Sequence, residues 1–215
     1  MCAFFILFNV SRETLNKFII FKLLYRCIEI LLIQLNIYDK IKKIIQFTKI
    51  TNVSRETLVE LYDFFVYMFH VKHWRYRKMN EYYMQLAIKQ AKKALKYNEV
   101  PVGAIIVKNN KIISKAFNKK EKYKDTTKHA EIIAISKACK KLKNWRLDDC
   151  ELYVTMEPCM MCSGAIEQSR IKKIVYGTKN DNYGYSKKIK NIEIISQICE
   201  KECREIVQTF FKKRR

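Results

Sequence analysis

Two short stretches carry residue types that can do chemistry around a metal ion. His129-Ala130-Glu131 offers an imidazole and, two residues on, a carboxylate; Pro158-Cys159-Met160-Met161-Cys162 offers a C-x-x-C pair of thiols. Zinc takes nitrogen and thiolate ligands in a tetrahedron, and a catalytic site leaves one corner for water. One His and two Cys supply three ligands and leave that corner open, whereas a closed structural site wants a fourth protein ligand. A C-x-x-C pair at the start of a helix suits this role, because the turn brings both sulfurs round and the free N–H groups there favour negative charge. Glu131, at the beginning of the other helix, is placed to reach a metal-activated water without binding the ion. Zinc lowers the pKa of such a water toward ~7, and a neighbouring carboxylate can take its proton and deliver it to the reacting molecule. Each part alone is weak, and the bland alternative is an ordinary helix with buried thiols.

These residues need elements to hold them. EYYMQLAIKQAKKALKY sets Tyr83, Ala87, Ala91, Ala94 and Leu95 on one helical face with lysines opposite. VPVGAIIVKNNKIISKAFN reads as two apolar strands around Asn109-Asn110, a hairpin signal. HAEIIAISKACKKL is helical, CELYVTM a short buried strand, CMMCSGAIEQSR a helix and IKKIVYG another strand. NIEIISQI reads as a last strand and CEKECREIVQTFFKKRR as a closing helix. Strands alternating with helices on this scale argue an α/β domain with a layered sheet.

The 215 residues fit one domain plus an extension, with enough chain to bury a core. Formal net charge is +22, of which residues 1–78 carry +7 and residues 79–215 carry +15. That excess favours an anionic partner over an acidic surface. The eight cysteines are spread through a chain too long to need a disulfide framework, and only Cys159 and Cys162 form a close C-x-x-C pair. MCAFFILF lacks a basic start and a small-residue cleavage site. IIFKLLYRCIEILLIQL is broken by Lys22, Arg26 and Glu29, so it gives no uninterrupted span. A reduced, cytoplasmic protein with no membrane partner is the expectation.

H-x-E, then P-C-x-x-C about 30 residues on, each at a helix start, matches the signature of zinc nucleobase deaminases. Residues 79–215 resemble the bacterial tRNA-specific adenosine deaminase (TadA) family. The resemblance rests on EVPVGAIIV (Glu99–Val107), the Asn of AFN, the HAE helix, LYVTMEPCMMCSGAI (Leu152–Ile166), SRIKKIVYG (Ser169–Gly177) and the tail FFKKRR. It implies the cytidine deaminase-like fold, a three-layer α/β/α sandwich with a central mixed sheet of about five strands. It implies zinc, one ion per subunit, on His129, Cys159 and Cys162, with Glu131 as the catalytic proton shuttle. Asn118 and the backbone of Ala130 would hydrogen-bond the flipped base. The implied reaction turns adenosine into inosine at the wobble position, on an arginine tRNA anticodon stem-loop, in a homodimer.

The wider superfamily shares the zinc site, so a free purine or pyrimidine base or nucleoside deaminase on the same fold is the alternative. A deaminase-like RNA-binding subunit without catalysis is a third reading, and an intact Glu131 speaks against it. The terminal Phe210-Phe211-Lys212-Lys213-Arg214-Arg215 reads either as an RNA contact or as a solvated last turn. Two features depart from the family. An aspartate is common where ungapped alignment puts Asn180; a one-residue shift would bring Asp181 there and restore the acid, whereas Asn180 itself would remove a repulsive charge beside the substrate backbone and predict weaker discrimination of RNA from DNA. The YGYSKKIK stretch before the last strand is shorter than in many relatives.

Residues 1–78 contain no Gly and no Pro and lack clean punctuation. NVSRETL occurs twice there, as Asn9–Leu15 and Asn52–Leu58, with unmatched flanks. Its first six residues can be encoded by a DNA stretch containing the palindrome TGTTTCACGTGAAACA. MFHVKH (Met68–His73) can be encoded by the same palindrome in another frame. The palindrome resembles the centromere-like site of bacterial chromosome-partition proteins. Residues 1–78 therefore read as an atypical N-terminal extension, translated upstream DNA or disordered, ahead of a zinc-dependent deaminase domain at 79–215 that starts at Met79. The rival is a genuine basic amphipathic extension that lies on a membrane or a partner.

Overall fold

The computed structural model describes the backbone of residues 55–214. The first NVSRETL copy, the start of the second, the interrupted apolar run at Lys22–Glu29 and Arg215 lie outside the described residues. Five helices and five strands are described. They are α1 (Arg55–Leu95), β1 (Gly103–Lys108), β2 (Lys111–Phe117), α2 (Lys120–Tyr123), α3 (Ala130–Leu142), β3 (Cys150–Met156), α4 (Met160–Gln168), β4 (Lys173–Thr178), β5 (Glu193–Ile195) and α5 (Glu200–Lys212). No helix among the described residues is long and apolar enough to cross a membrane.

The sheet order is β2-β1-β3-β4-β5. β1 pairs antiparallel with both β2 and β3, whereas β3–β4 and β4–β5 are parallel, so the sheet is mixed. Asn109 and Asn110 both take left-handed φ values, 49° and 59°, as a two-residue hairpin loop requires. Parallel β3 and β4 are joined through α4, so the metal-type thiols ride on the crossover that the sheet demands.

Side-chain alternation divides the core in two. Ala104, Ile106, Leu152, Val154, Ile174 and Tyr176 pack with Ala130, Ala134 and Ala138 of α3 and Ile166 of α4. Ile105, Val107, Tyr153 and Val175 face the other way, onto Tyr83, Met84, Ala87 and Ile88 of α1 and Cys203 of α5. Period-two alternation along three strands thus feeds two helical layers, giving the three-layer α/β/α sandwich expected from the sequence. Gly103 marks how closely α1 approaches: a Cβ there would sit 2.1 Å from the Ala87 carbonyl oxygen.

Two expectations are corrected, the place of Leu95 and the length of the last strand. The buried stripe of α1 is Tyr83, Met84, Ala87, Ile88, Ala91 and Ala94, while Leu95 is 43% exposed. Leu95 lies four residues past Ala91 and so on the same face, but it is the last residue of α1, where the chain turns away, and it stays open to solvent. The last strand is only Glu193–Ile195, because it pairs with the first half of β4 before Gln197 and Cys199 turn the chain with positive φ. Residues 55–78 are helical, the first part of α1. No Gly or Pro is present there to stop a helix, and extending an existing helix costs far less than starting one.

Candidate metal-dependent active site

The site lies past the C-terminal end of β3, where α3 and α4 begin side by side. His129 immediately precedes α3 and Cys159 immediately precedes α4, both with extended backbone. Cys162 follows one turn into α4 and is fully buried. The His129 Nδ1 atom is 3.7 Å from Cys159 Sγ and 3.5 Å from Cys162 Sγ, and all three donor atoms lie within 4.8 Å of one another. A tetrahedral ion with nitrogen at about 2.05 Å and sulfur at about 2.3 Å sets such ligands about 3.6 Å apart. The donor spacing therefore fits one zinc-sized ion, with three protein ligands and no fourth His, Cys, Asp or Glu in the cluster among the described residues.

Charge is distributed to suit. The Cys159 thiol is pulled down to about 4, first by the Cys162 thiol donating to it and then by His129. The same pairing, with burial, pushes Cys162 strongly up, and the contact to Cys159 raises His129. Glu131 is 4% exposed, and burial raises its carboxyl, with His129 and Cys162 beside it pulling the other way. Ala130, the first residue of α3, has an N–H with no partner inside the helix. A buried carboxyl, an unspent helix N–H and three soft donors thus converge on one spot.

Two neighbouring segments are pinned to this spot by carboxylates that the sequence reading left without a role. Glu99 is fully buried and accepts from Asn118 Nδ2 (3.3 Å) and from the backbone N–H groups of Glu121 (3.1 Å) and Lys122 (2.8 Å). Asn118, at the end of β2, is 6% exposed; its Oδ1 is buried and has no hydrogen-bond partner. The Lys119 N–H donates to the Lys128 carbonyl (3.0 Å), so the Asn118 strand end lies against the segment leading into His129. Glu157 accepts from Ser186 Oγ (2.6 Å) and the Asn180 N–H (3.3 Å), while the Tyr185 N–H donates to the Pro158 carbonyl (3.0 Å). Gly184 bridges to Cys159 in antiparallel fashion. A Cβ on Gly184 would lie 2.5 Å from Glu157 Oε2, so only glycine closes the short YGYSKKIK loop over the thiols. The signal for both carboxylates was present as an acid abutting an apolar strand or a proline, in GluValPro and GluProCys.

His129, Ala130, Glu131, Cys159 and Cys162 are thus brought together, with Asn118 on the adjoining strand end. Asn180 lies in the neighbouring loop, its Oδ1 accepting the Tyr183 N–H (3.1 Å). The tail divides: Phe210 is 7% exposed and part of the core, while Phe211 to Arg214 are exposed.

A family profile for MafB19-like deaminases matches residues 79–215. The tRNA-specific adenosine deaminase of Bacillus subtilis is 41% identical over 146 residues, covering 63% of this chain and 91% of that protein. The chain belongs to the tRNA-specific adenosine deaminase family. A solved member of this family, studied for A-to-I editing by tRNA:A34 deaminases at the wobble position, superposes with TM-score 0.56 at 34% identity, over 58% of this chain and 98% of that one. A guanine deaminase from Nitrosomonas europaea has TM-score 0.56 at 19% identity, over 60% of this chain and 83% of that one, and shares the fold alone. The five-stranded mixed sheet and its two helical layers are those of the cytidine deaminase-like fold. Within the tRNA-specific adenosine deaminase family, a hydrolase built around a His/Cys/Cys cluster is the membership that this chain's site matches.

Proposed function

We infer that this chain is a zinc-dependent hydrolase that converts adenosine to inosine at the wobble position of a tRNA anticodon and releases ammonia. What carries the reading is the open three-donor cluster beside a buried carboxyl, His129, Cys159 and Cys162 with Glu131, in a member of this family. The donors would hold one zinc per subunit through His129 Nδ1 and the two Sγ atoms, because soft thiolates and an imidazole at these spacings suit that ion. Zinc bound there would supply Lewis acidity to a water molecule.

The rest falls to the chain's own groups. Glu131 accepts the proton of the attacking water and delivers it to N1 of the purine as the C6–O bond forms. It then takes the remaining proton from the new C6 hydroxyl and passes it to the exocyclic nitrogen as the C6–N bond breaks and C6=O forms, so water and adenosine become inosine and ammonia. The Ala130 N–H and the Asn118 amide hold the flipped base, Asn118 with its unpartnered Oδ1 and the Nδ2 hydrogen that Glu99 leaves free. Burial of Glu131 keeps bulk water from competing for its proton.

An arginine tRNA anticodon stem-loop is the proposed substrate, a homodimer the proposed assembly and the cytoplasm the proposed compartment. Residues 79–215 are the proposed catalytic segment, with residues 1–78 as translated upstream DNA. At Asn180 an aspartate would keep the turn, since a carboxylate accepts the Tyr183 N–H equally well, and would add only a charge. Deamination of a matching single-stranded DNA hairpin by the unmodified chain, with less in Asn180→Asp, is expected; equal negligible activity in both defeats that point. The function itself is tested by incubating zinc-loaded protein with tRNA, free adenine, guanine, cytosine and cytidine. Inosine in tRNA with no product from the small molecules is expected. Turnover of a free base or nucleoside with tRNA untouched would replace this reading with the small-molecule alternative.

A further inference from the structure

Beside Asn118 the surface changes character. Phe117, the residue before it, stacks on Tyr97 with ring centroids 5.8 Å apart and planes 10° from parallel. The Lys119 ammonium lies 5.0 Å from the Phe117 centroid and 5.6 Å from that of Tyr123, and Lys122 lies 4.6 Å from that of Tyr97. Tyr97 and Tyr123 are 49% and 53% exposed, a cost in water that their packing against lysines partly offsets.

The manner in which these lysines are held matters. Lys92, Lys108 and Lys128 each face a carboxylate, which cancels their charge at short range. Lys119, Lys122 and Lys124 form no ion pair with any described residue. An aromatic face is neutral, so it fixes an ammonium group in place and leaves the charge free to act on a partner. A cavity of about 320 Å³ opens at this spot between Tyr97, Asn98, Glu121, Lys122, Lys124 and Arg214. Arg214 closes one side, donating from Nη2 to the Asn98 carbonyl (2.8 Å) with its guanidinium 4.3 Å from the Phe210 centroid. Three cations against Glu121 leave this lining net positive. The segment does not wander, because the buried Glu99 carboxylate ties down the N–H groups of Glu121 and Lys122 as well as Asn118.

We propose that Lys119, Lys122, Lys124 and Arg214 form a phosphate-binding surface that holds the RNA strand flanking the reacting adenosine. The proposal rests on the tRNA reading above and gives that reading an address. A base drawn into the site at Asn118 must leave its stack, and the backbone on either side then has to be gripped within a nucleotide or two. Phe117 and Lys119 flank Asn118 in the chain, so the first cation stands one residue from the base-holding amide. Phosphates are the charged feature common to every RNA strand at that position, and pre-placed uncancelled cations are what phosphates require.

The test uses the full zinc-loaded chain and a fluorescein-labelled RNA hairpin with a single-stranded loop containing adenosine, titrated at several salt concentrations. Each single-strand phosphate neutralised contributes about 0.7 to the slope of log affinity against log salt. Lys122→Gln/Lys124→Gln should therefore lower that slope by about 1.4 and weaken low-salt binding about tenfold. Lys122→Arg/Lys124→Arg should restore both, since Arg keeps the charge. Lys172→Gln/Lys190→Gln, exposed at the opposite end of the sheet, should leave the slope unchanged. A Gln pair indistinguishable from the unmodified chain, an Arg pair as weak as the Gln pair, or an unmodified chain that does not bind the hairpin overturns the proposal. Inosine formation in an arginine tRNA is scored separately. Inosine with an unchanged slope in the Gln pair defeats only the surface, whereas a changed slope without inosine supports the surface and defeats the deaminase reading.

Discussion

The sheet buries polar groups at both of its ends and treats them in opposite ways. Where β3 and β4 start, the Lys173 ammonium, with its side chain 8% exposed, lies 3.1 Å from Glu151 Oε2 and over the ring of Tyr76. Tyr153 donates to the same carboxylate (2.6 Å) and is also within hydrogen-bond reach of Asn80 Oδ1 (2.9 Å), and Tyr76 donates to Glu193 (2.8 Å). The buried ammonium there has its counter-charge, and each of these carboxylates has a donor. Past the far ends of the same strands, Glu131 is buried beside His129 and the thiols with no lysine or arginine paired to it among the described residues, Asn118 Oδ1 has no partner, and three metal-type donors crowd within 4.8 Å of one another. Satisfied polar clusters hold a fold together, while unsatisfied ones are held by the fold for something that arrives later.

That contrast can be broken from either side, and the largest effect is expected at the unsatisfied end. Glu131→Gln keeps the shape but cannot carry a proton, so deamination should fall about a thousandfold while zinc content and thermal stability stay near those of the unmodified chain. Retained activity would show that the buried carboxyl is structural. Next comes Glu99→Ala, which frees Asn118 and two backbone N–H groups together. Small displacements of a positioning group cost up to about a hundredfold, and Glu99→Gln, still able to accept, should recover part of kcat/KM. If Glu99→Ala changed only the melting temperature, its link to Asn118 would be irrelevant to catalysis.

At the satisfied end the signs reverse. Glu151→Gln leaves a buried ammonium short of its counter-charge, and a loss of about 2 kcal/mol in denaturant unfolding is expected, with kcat per folded molecule unchanged. Glu151 itself is 38% exposed, which keeps the effect below that of a fully buried pair. Smallest of all is a chain begun at Met79. It loses the Tyr76 hydrogen bond to Glu193 and the ring over Lys173, worth about 1 kcal/mol, so it should melt a few degrees lower and deaminate normally. Loss of activity on that truncation would make the upstream helical turns part of the enzyme.

Much of this was legible in the sequence because it is written in local patterns. The strands announced themselves by alternation, Asn109-Asn110 by turn chemistry, and the metal donors by types and spacing that a helix start makes useful. Leu95 was misplaced because periodicity puts it on the buried face, and that pattern does not mark it as the uncovered last residue of α1. The last strand was read too long because positive φ at Gln197 and Cys199 has no glycine to advertise it. Glu99 and Glu157 stand out in the sequence only as acids beside an apolar strand or a proline; their partners at Lys122 and Ser186 lie 23 and 29 residues away, and only the folded chain joins them. Tyr97 and Phe117 likewise belong to different elements, so the braced lysines became visible only in three dimensions.

The central claim is that the cluster at His129, Cys159 and Cys162 with Glu131 makes inosine in an anticodon. Sequencing arginine tRNA after incubation with the zinc-loaded protein tests it most directly, because inosine is read as guanosine. Conversion of the wobble adenosine to a guanosine read by the unmodified chain, and none by Glu131→Gln, is the predicted result. A wobble position still read as adenosine after exhaustive incubation with metal-replete, folded protein would contradict it.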